Sequence, residues 1–181
     1  MRMMRRLSSG VVVLSVVFMC SCNSSEKKSV SDHIQAELIK QQADGTVSLK
    51  LENAEYYNDN DNPSSNTAEW RFIVSKSGRY EIWLSSATCD TLDMKYINSV
   101  RLTIHDERLE LKHSGGKVIP NNDDARYPYR ADSYIGSYYI QEPGEYTIQL
   151  ISEKAVLSDA GVSPHIQNTK LMSVSLVPMT R

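Results

Sequence analysis

The chain has 181 residues, with 20 Lys and Arg against 22 Asp and Glu, 40% hydrophobic residues and three cysteines. That length suits one domain. A charged share of 23% argues against wholesale disorder, and a net charge of -2 leaves no basic footprint for nucleic acid. Three cysteines do not make a disulfide scaffold, and ten Tyr beside two Trp and two Phe favour the aromatic that tolerates one wet end.

The first 21 residues read as an export signal. Arg2, Arg5 and Arg6 form a positive start without an acid, and Val11 to Met19 is a short apolar run that stops at Cys20-Ser21-Cys22. About 20 apolar residues are needed to span a bilayer core, so the run is a signal peptide to be set apart from the fold. The segment resembles a bacterial lipoprotein signal, in which a small residue precedes a cysteine that is lipidated. Ser21-Cys22 suits that requirement better than Met19-Cys20, which makes Cys22 the expected lipidation site. Met19 and Cys20 depart from the usual pattern, and an ordinary signal peptide or an uncleaved anchor is the alternative. Removing 1–21 takes away three basic residues and no acidic ones, leaving 17 against 22, a net of -5. The acyl chains would then be the membrane contact, with an outer-membrane or cell-surface location, and Cys89 would be left without a disulfide partner.

Asn23 to Ser31 is polar and without period, as expected of a tether. Within the tether segment 22–45, Asp32 to Gln42 carries a thin apolar stripe (Ile34, Leu38, Ile39), a cap at Ser31 or Asp32 and a stop at Gly45, which predicts one short helix. From residue 46 to 181 the period is two. Val47, Leu49 and Leu51 alternate with polar residues, as do Trp70, Phe72 and Val74. So do Tyr80, Ile82 and Leu84, then Val100, Leu102 and Ile104, then Tyr146, Ile148 and Leu150, and finally Met172, Val174 and Leu176. Alternation of this kind marks strands with one buried face. Turn signals stand between them: Asn58 to Asn66, Lys76-Ser77-Gly78, Ser114-Gly115-Gly116 and Glu142-Pro143-Gly144. The expected fold is all-β, a β-sandwich of the jelly-roll kind. Two joints, Phe72 to Tyr80 and Tyr138 to Tyr146, repeat one hairpin-like design: strand, polar residues, Gly, a charged residue, Tyr, strand. In each, the glycine is expected to supply positive φ and the tyrosine to begin an inward-facing set.

Leu49-Lys-Leu-Glu-Asn-Ala-Glu-Tyr56 resembles the opening strand of a galactose-binding-like β-sandwich, the fold of carbohydrate-binding modules of families 6 and 35. Ala68 to Val74 with Ser77 to Leu84 is similar to the core of those modules and of the modules appended to secreted α-fucosidases. Pro143 to Leu150 and Leu171 to Pro178 resemble their last two strands. The likeness covers about residues 46–178. It implies a glycan or polysaccharide partner bound by loops at one end of the sandwich. It also implies a structural calcium held by acids of the first strand, here Glu52 and Glu55, and by an Asp near the last, where this chain has Ser173 and Ser175. Calcium takes six to eight oxygens, and the pair alone does not supply them. The acidic turns Asn58 to Asp61 and Asn121 to Asp124 read first as solvated loops.

A sugar site needs an aromatic platform and planar hydrogen-bonding groups. Two clusters offer both: Tyr56 and Tyr57 with Asn58 and Asp59, and Arg126-Tyr127-Pro-Tyr129-Arg130 with Asn121, Asn122 and Asp132. Tyr57, Tyr127 and Tyr129 are the expected stacking residues. Asn121, Asn122 and Asp124 are the expected hydroxyl contacts. Tyrosines that merely plug the sandwich ends are the plainer alternative. Trp83 has opposite parity to Ile82 and Leu84, so it either marks a glycan-binding face or is covered by the segment 32–42. Trp70 belongs to the core. His33, His105, His113 and His165 fit no zinc spacing, Cys89 has no neighbouring His and reads as a half-buried small residue, and no nucleophile elbow or phosphate loop is present. An enzyme is not expected. Two functions remain open: capture of a glycan by a surface lipoprotein, or a lipoprotein that holds an envelope protein partner. The second would show as an extended apolar patch around Trp83.

Overall fold

The computed structural model describes residues 37–91, 94, 96, 98–111, 116–156 and 168–179. The signal, Cys22 and the tether up to residue 36 lie outside these. So do His33, His113 and His165. Strands among the described residues are β1 (Ile39–Lys40), β2 (Val47–Lys50), β3 (Glu55–Tyr57), β4 (Thr67–Val74), β5 (Gly78–Thr88), β6 (Val100–Ile104), β7 (Glu107–Leu111), β8 (Lys117–Pro120), β9 (Tyr129–Ile140), β10 (Gly144–Ile151) and β11 (Thr169–Pro178). One sheet runs β1-β4-β10-β6-β7, with β3 also on β4, and the other β2-β11-β5-β9-β8. Every pairing is antiparallel except β1 on β4. This is the expected all-β sandwich.

The inward sets are those of the alternation. Trp70 and Phe72 of β4 and Ile148 and Leu150 of β10 meet Leu49, Ile82, Leu84, Val174 and Leu176 of the facing sheet, all fully buried. Trp70 satisfies its one polar atom by donating from Nε1 to the Lys50 carbonyl at 2.8 Å, as a buried indole must. One inward place changes hands. The register of β11 against β5 slips between Leu171 and Ser173, so Leu171 is buried where alternation points to Met172. A bulge of this kind re-aims the extra side chain, and Met172 faces a cleft described below.

The two repeated joints are not hairpins. β4 and β5 lie in different sheets, as do β9 and β10, so each joint carries the chain from one sheet to the other. Their tyrosines share one device: Tyr80 Oη donates to the Lys76 carbonyl at 2.8 Å and Tyr146 Oη to the Glu142 carbonyl at 2.6 Å, four residues back in both cases. This is the geometry of a tyrosine corner, and both rings are buried as expected. Gly78 has φ of +151°, which favours glycine, whereas Gly144 has no positive φ. The expectation therefore holds at the first joint and fails at the second.

No helix occurs in 37–42. Ile39–Lys40 pairs with Phe72 and Ile73 instead, and Ile39 packs against the core. Gln41 fixes the segment: its Nε2 donates to the Gly45 carbonyl at 2.6 Å and to Tyr80 Oη at 2.9 Å, and its Oε1 accepts from Ser75 N and Oγ. A thin apolar stripe gains more by adding to a sheet edge than by forming an isolated short helix, whose nucleation is unfavourable.

Candidate functional site

The β8–β9 loop, residues 121–128, is closed by its own side chains. Asn121 N donates to the Pro128 carbonyl at 2.9 Å and Asn121 Nδ2 to the Tyr127 carbonyl at 2.8 Å. Asp124 accepts from the Arg126 backbone N–H at 3.0 Å and from its guanidinium at 3.0 Å. The Arg126 side chain and its backbone N–H together hold the Asp124 carboxyl below the ordinary carboxylate range. The Arg126 guanidinium also lies 5.7 Å from the Tyr127 ring centroid.

Beneath this loop opens a cleft of about 380 Å³, walled by β2, the Leu51–Asn53 turn, β3, the loop and the bulged start of β11. Asn121, Asp124 and Tyr127 line it together with Tyr56, Lys50 and Lys170. Three of the six expected ligand contacts thus meet in one place. Tyr127 is only 4% exposed, so it forms wall and not an open platform. Asn122 is exposed on the same loop and Tyr129 stands at the start of β9, neither of them lining the cleft.

Tyr57 lies elsewhere, and the reason is parity. Tyr56 pairs with Ala68, a core residue, while Tyr57 pairs with Thr67, so consecutive tyrosines face opposite ways. Tyr56 reaches the cleft, its hydroxyl donating to the Leu51 carbonyl at 2.5 Å, and burial pushes its phenol well above the usual range. Tyr57 is 47% exposed on the far side of its sheet. Alternation from Ala68 or from Ala54 would have chosen between them. Lys50, Lys170 and Met172 were not anticipated, because a lysine on a strand carries no signal of what lies across from it.

Glu52 and Glu55 are not brought together. Glu52 lines the cleft and pairs with Lys50 at 3.4 Å. Glu55 shares the outward parity of Tyr57, which hydrogen-bonds to it. Among the described residues no three His, Cys, Asp or Glu side chains converge on a metal position, and the pair does not fit an ion that needs six to eight oxygens. Cys89 is exposed and not half-buried, its thiol donating to the Arg126 carbonyl at 2.9 Å.

Trp83 does face out of its sheet, as its parity requires. It is half-buried, donates from Nε1 to Glu81 at 3.1 Å, and meets Tyr134 edge-on with ring centroids 5.4 Å apart. The described part of the 32–42 segment lies against β4 in the other sheet and does not cover it. Its surroundings are serines and charged side chains, with Val177 the one aliphatic neighbour lining the same depression.

Comparison with protein-family models and with curated protein sequences gives no match. Among solved structures, the α-L-fucosidase of Vibrio sp. strain EJY3 is similar with a TM-score of 0.60 at 19% identity, over 78% of this chain and 24% of that one. The shared architecture is a two-sheet β-sandwich. Likeness at that identity shows the fold alone, and the chain spans about a quarter of the fucosidase's length. A family 35 carbohydrate-binding module from Cellvibrio japonicus (TM-score 0.41, 15% identity) matches over 75% of this chain and 94% of its own. Another from Clostridium thermocellum (0.36, 11%) matches over 72% and 97%.

Proposed function

We propose that this chain is a non-catalytic, carbohydrate-binding lipoprotein that captures a glycan at the outer membrane or cell surface, anchored through acyl chains on Cys22. The observation that carries the reading is the loop-end cleft, where Asn121, Asp124 and Tyr127 meet Tyr56, Lys50 and Lys170. Such a cleft offers a pyranose two ring walls and polar groups of both signs for its hydroxyls. Glycoside hydrolysis needs an acid with a raised pKa, whereas the Asp124 carboxyl is held down by Arg126. Solved structures similar in outline include carbohydrate-binding modules by name.

The test is a glycan-array screen of the chain without residues 1–21, repeated with Lys170→Ala, Asn121→Ala and Tyr127→Ala. Loss of about tenfold or more in affinity, about 1.4 kcal/mol, is expected for each. Lys170 is partly exposed, so its variant keeps the test valid if Tyr127→Ala does not fold. Binding untouched by Lys170→Ala and Asn121→Ala would move the site. A folded chain that binds no glycan would sink the capture reading and turn attention to an envelope protein partner. Separately, Cys22→Ser is expected to release the protein from the membrane fraction, and continued membrane association would refute lipidation at that residue.

A further inference from the structure

β9 runs from the cleft loop at Tyr129 to Ile140, and a second depression, of about 510 Å³, opens at its far end. One wall is His105, Asp106 and Glu107 at the β6–β7 turn; the other is Tyr138, Tyr139 and Gln141 at the close of β9. The two walls come from different sheets. They approach because Leu109 of β7 lies over Gly136, where an added Cβ would stand 3.1 Å from Leu109 Cδ2. Two residues away on each strand, the same parity sets Glu107 toward Tyr138.

The aromatic wall is continuous with the core. Phe72 stacks on Tyr146 with centroids 5.9 Å apart, and Tyr146 meets the His105 ring at 5.0 Å. Tyr138 packs against the same core. Burial holds its phenol above the usual range, and Tyr146, Glu107 and Asp106 act in the same direction. Both carboxylates are therefore felt at this ring.

The charge here is unlike that of the loop-end cleft, where Lys50 and Arg126 engage Glu52 and Asp124. Among the described residues, no lysine or arginine lines the second depression, and no side chain pairs with Asp106 or Glu107. Arg79, beside Tyr139 in register, is turned to Ser137 and donates to its Oγ at 3.1 Å. Arg108 has the opposite parity to Glu107. Aromatic rings beside uncompensated carboxylates attract a cation. A metal ion is poorly served, since no three His, Cys, Asp or Glu side chains converge among the described residues. An organic ammonium needs only a ring face and a counter-charge.

We propose that this depression is a second binding site, which takes an organic ammonium group against the rings of Tyr138 and His105, with Asp106 and Glu107 as its counter-charge. The site is separate from the glycan cleft and does not rest on the capture reading.

The test titrates the same chain, isotope-labelled for NMR, with two ammonium probes, choline and glucosamine. Each is paired with a neutral counterpart: the choline analogue in which carbon replaces nitrogen, and N-acetylglucosamine. At least one ammonium is expected to shift the amides of 105–107 and 138–141, with its counterpart about tenfold weaker, about 1.4 kcal/mol. Its affinity should fall as salt rises. The double variant Asp106→Asn, Glu107→Gln changes exposed positions only and should cost about tenfold. His105 has φ of +49°, which asparagine tolerates, so His105→Asn removes the ring and keeps the turn; a loss of about threefold is expected. Binding of choline alone supports a quaternary group as the ligand, binding of glucosamine alone an amino sugar, and binding of both the ammonium group itself. Equal affinity for an ammonium and its neutral counterpart overturns the proposal. So do shifts confined to the loop-end cleft, an unchanged affinity in the double variant, or no binding of either ammonium.

Discussion

Tyr80 and Tyr146 show what a single hydroxyl does in this fold. Each sits just after a crossing between sheets, with its ring in the core and its oxygen returned to a carbonyl four residues earlier. The bond pins the crossing while the ring packs beneath it; Tyr146 also stacks on Phe72 with centroids 5.9 Å apart. Replacing tyrosine by phenylalanine keeps the ring and removes only the hydroxyl, leaving a carbonyl short of its donor. Tyr146→Phe is expected to lower stability by about 1 kcal/mol, read as a shift in the urea midpoint. Tyr80→Phe should lose more, because Tyr80 Oη also accepts from Gln41 Nε2, which ties the entering N-terminal segment to the same corner. Midpoints equal to that of the parent chain in both variants would show that the corners contribute nothing.

At the scale of an element, the β8–β9 loop ties the geometry of the cleft to pH. The folded Asp124 carboxyl binds its proton less tightly than the unfolded one, because Arg126 favours the charged form. Its contribution is therefore fully present above the ordinary aspartate value of about 3.9 and is lost as pH falls through the lowered folded value. Amide signals of Arg126 and Tyr127, followed by NMR, should titrate with a midpoint below about 3.9, and Arg126→Ala should return it toward that value. A midpoint already at the ordinary value in the parent chain would dissolve the pair. This loop also marks where the sequence stopped being legible. The strands with clean alternation (β2, β4, β5, β6, β10 and β11 beyond its bulge) were readable because one face of each is core. β9 hid its period, since its register slips opposite Ile82 and Trp83 and the count of two breaks at the bulge. β7 and β8 lie at sheet edges, where few side chains are buried to write a pattern. Gly116 was visible only as a turn signal, yet an added Cβ there would stand 2.1 Å from the Asp132 carbonyl oxygen, so it is the close approach of β8 to β9 that needs glycine. The cleft was half legible for a related reason: Asn121, Asp124 and Tyr127 lie close in sequence, whereas Lys50 and Lys170 reach the same place only through strand pairing.

Across the whole molecule, stability rests on the apolar layer between the sheets, and the acidic residues of the opening segment are engaged by neighbours. The first-strand carboxylates that would suit a calcium ion are divided between two surfaces: Glu52 faces the cleft beside Lys50, and Glu55 shares the outward parity of Tyr57. Bringing them together would require β3 to slip by one residue on β4, which would turn Tyr56 out of the interior and Tyr57 into it. The sandwich is therefore expected to hold without metal. An ion bound by the folded state alone at about 100 times its dissociation constant would add about 2.7 kcal/mol, and for a domain of this size would raise the melting midpoint by roughly 5–10 °C. Thermal unfolding in excess calcium and in excess EDTA should give midpoints that agree to within about one degree, far below the shift such binding produces. A rise of several degrees on adding calcium, removed again by EDTA and absent in Glu52→Gln, would mean that carboxylates from beyond the described residues complete the site. The same pair of melts with Lys50→Ala would then show whether the lysine now paired with Glu52 competes with the ion for that carboxylate.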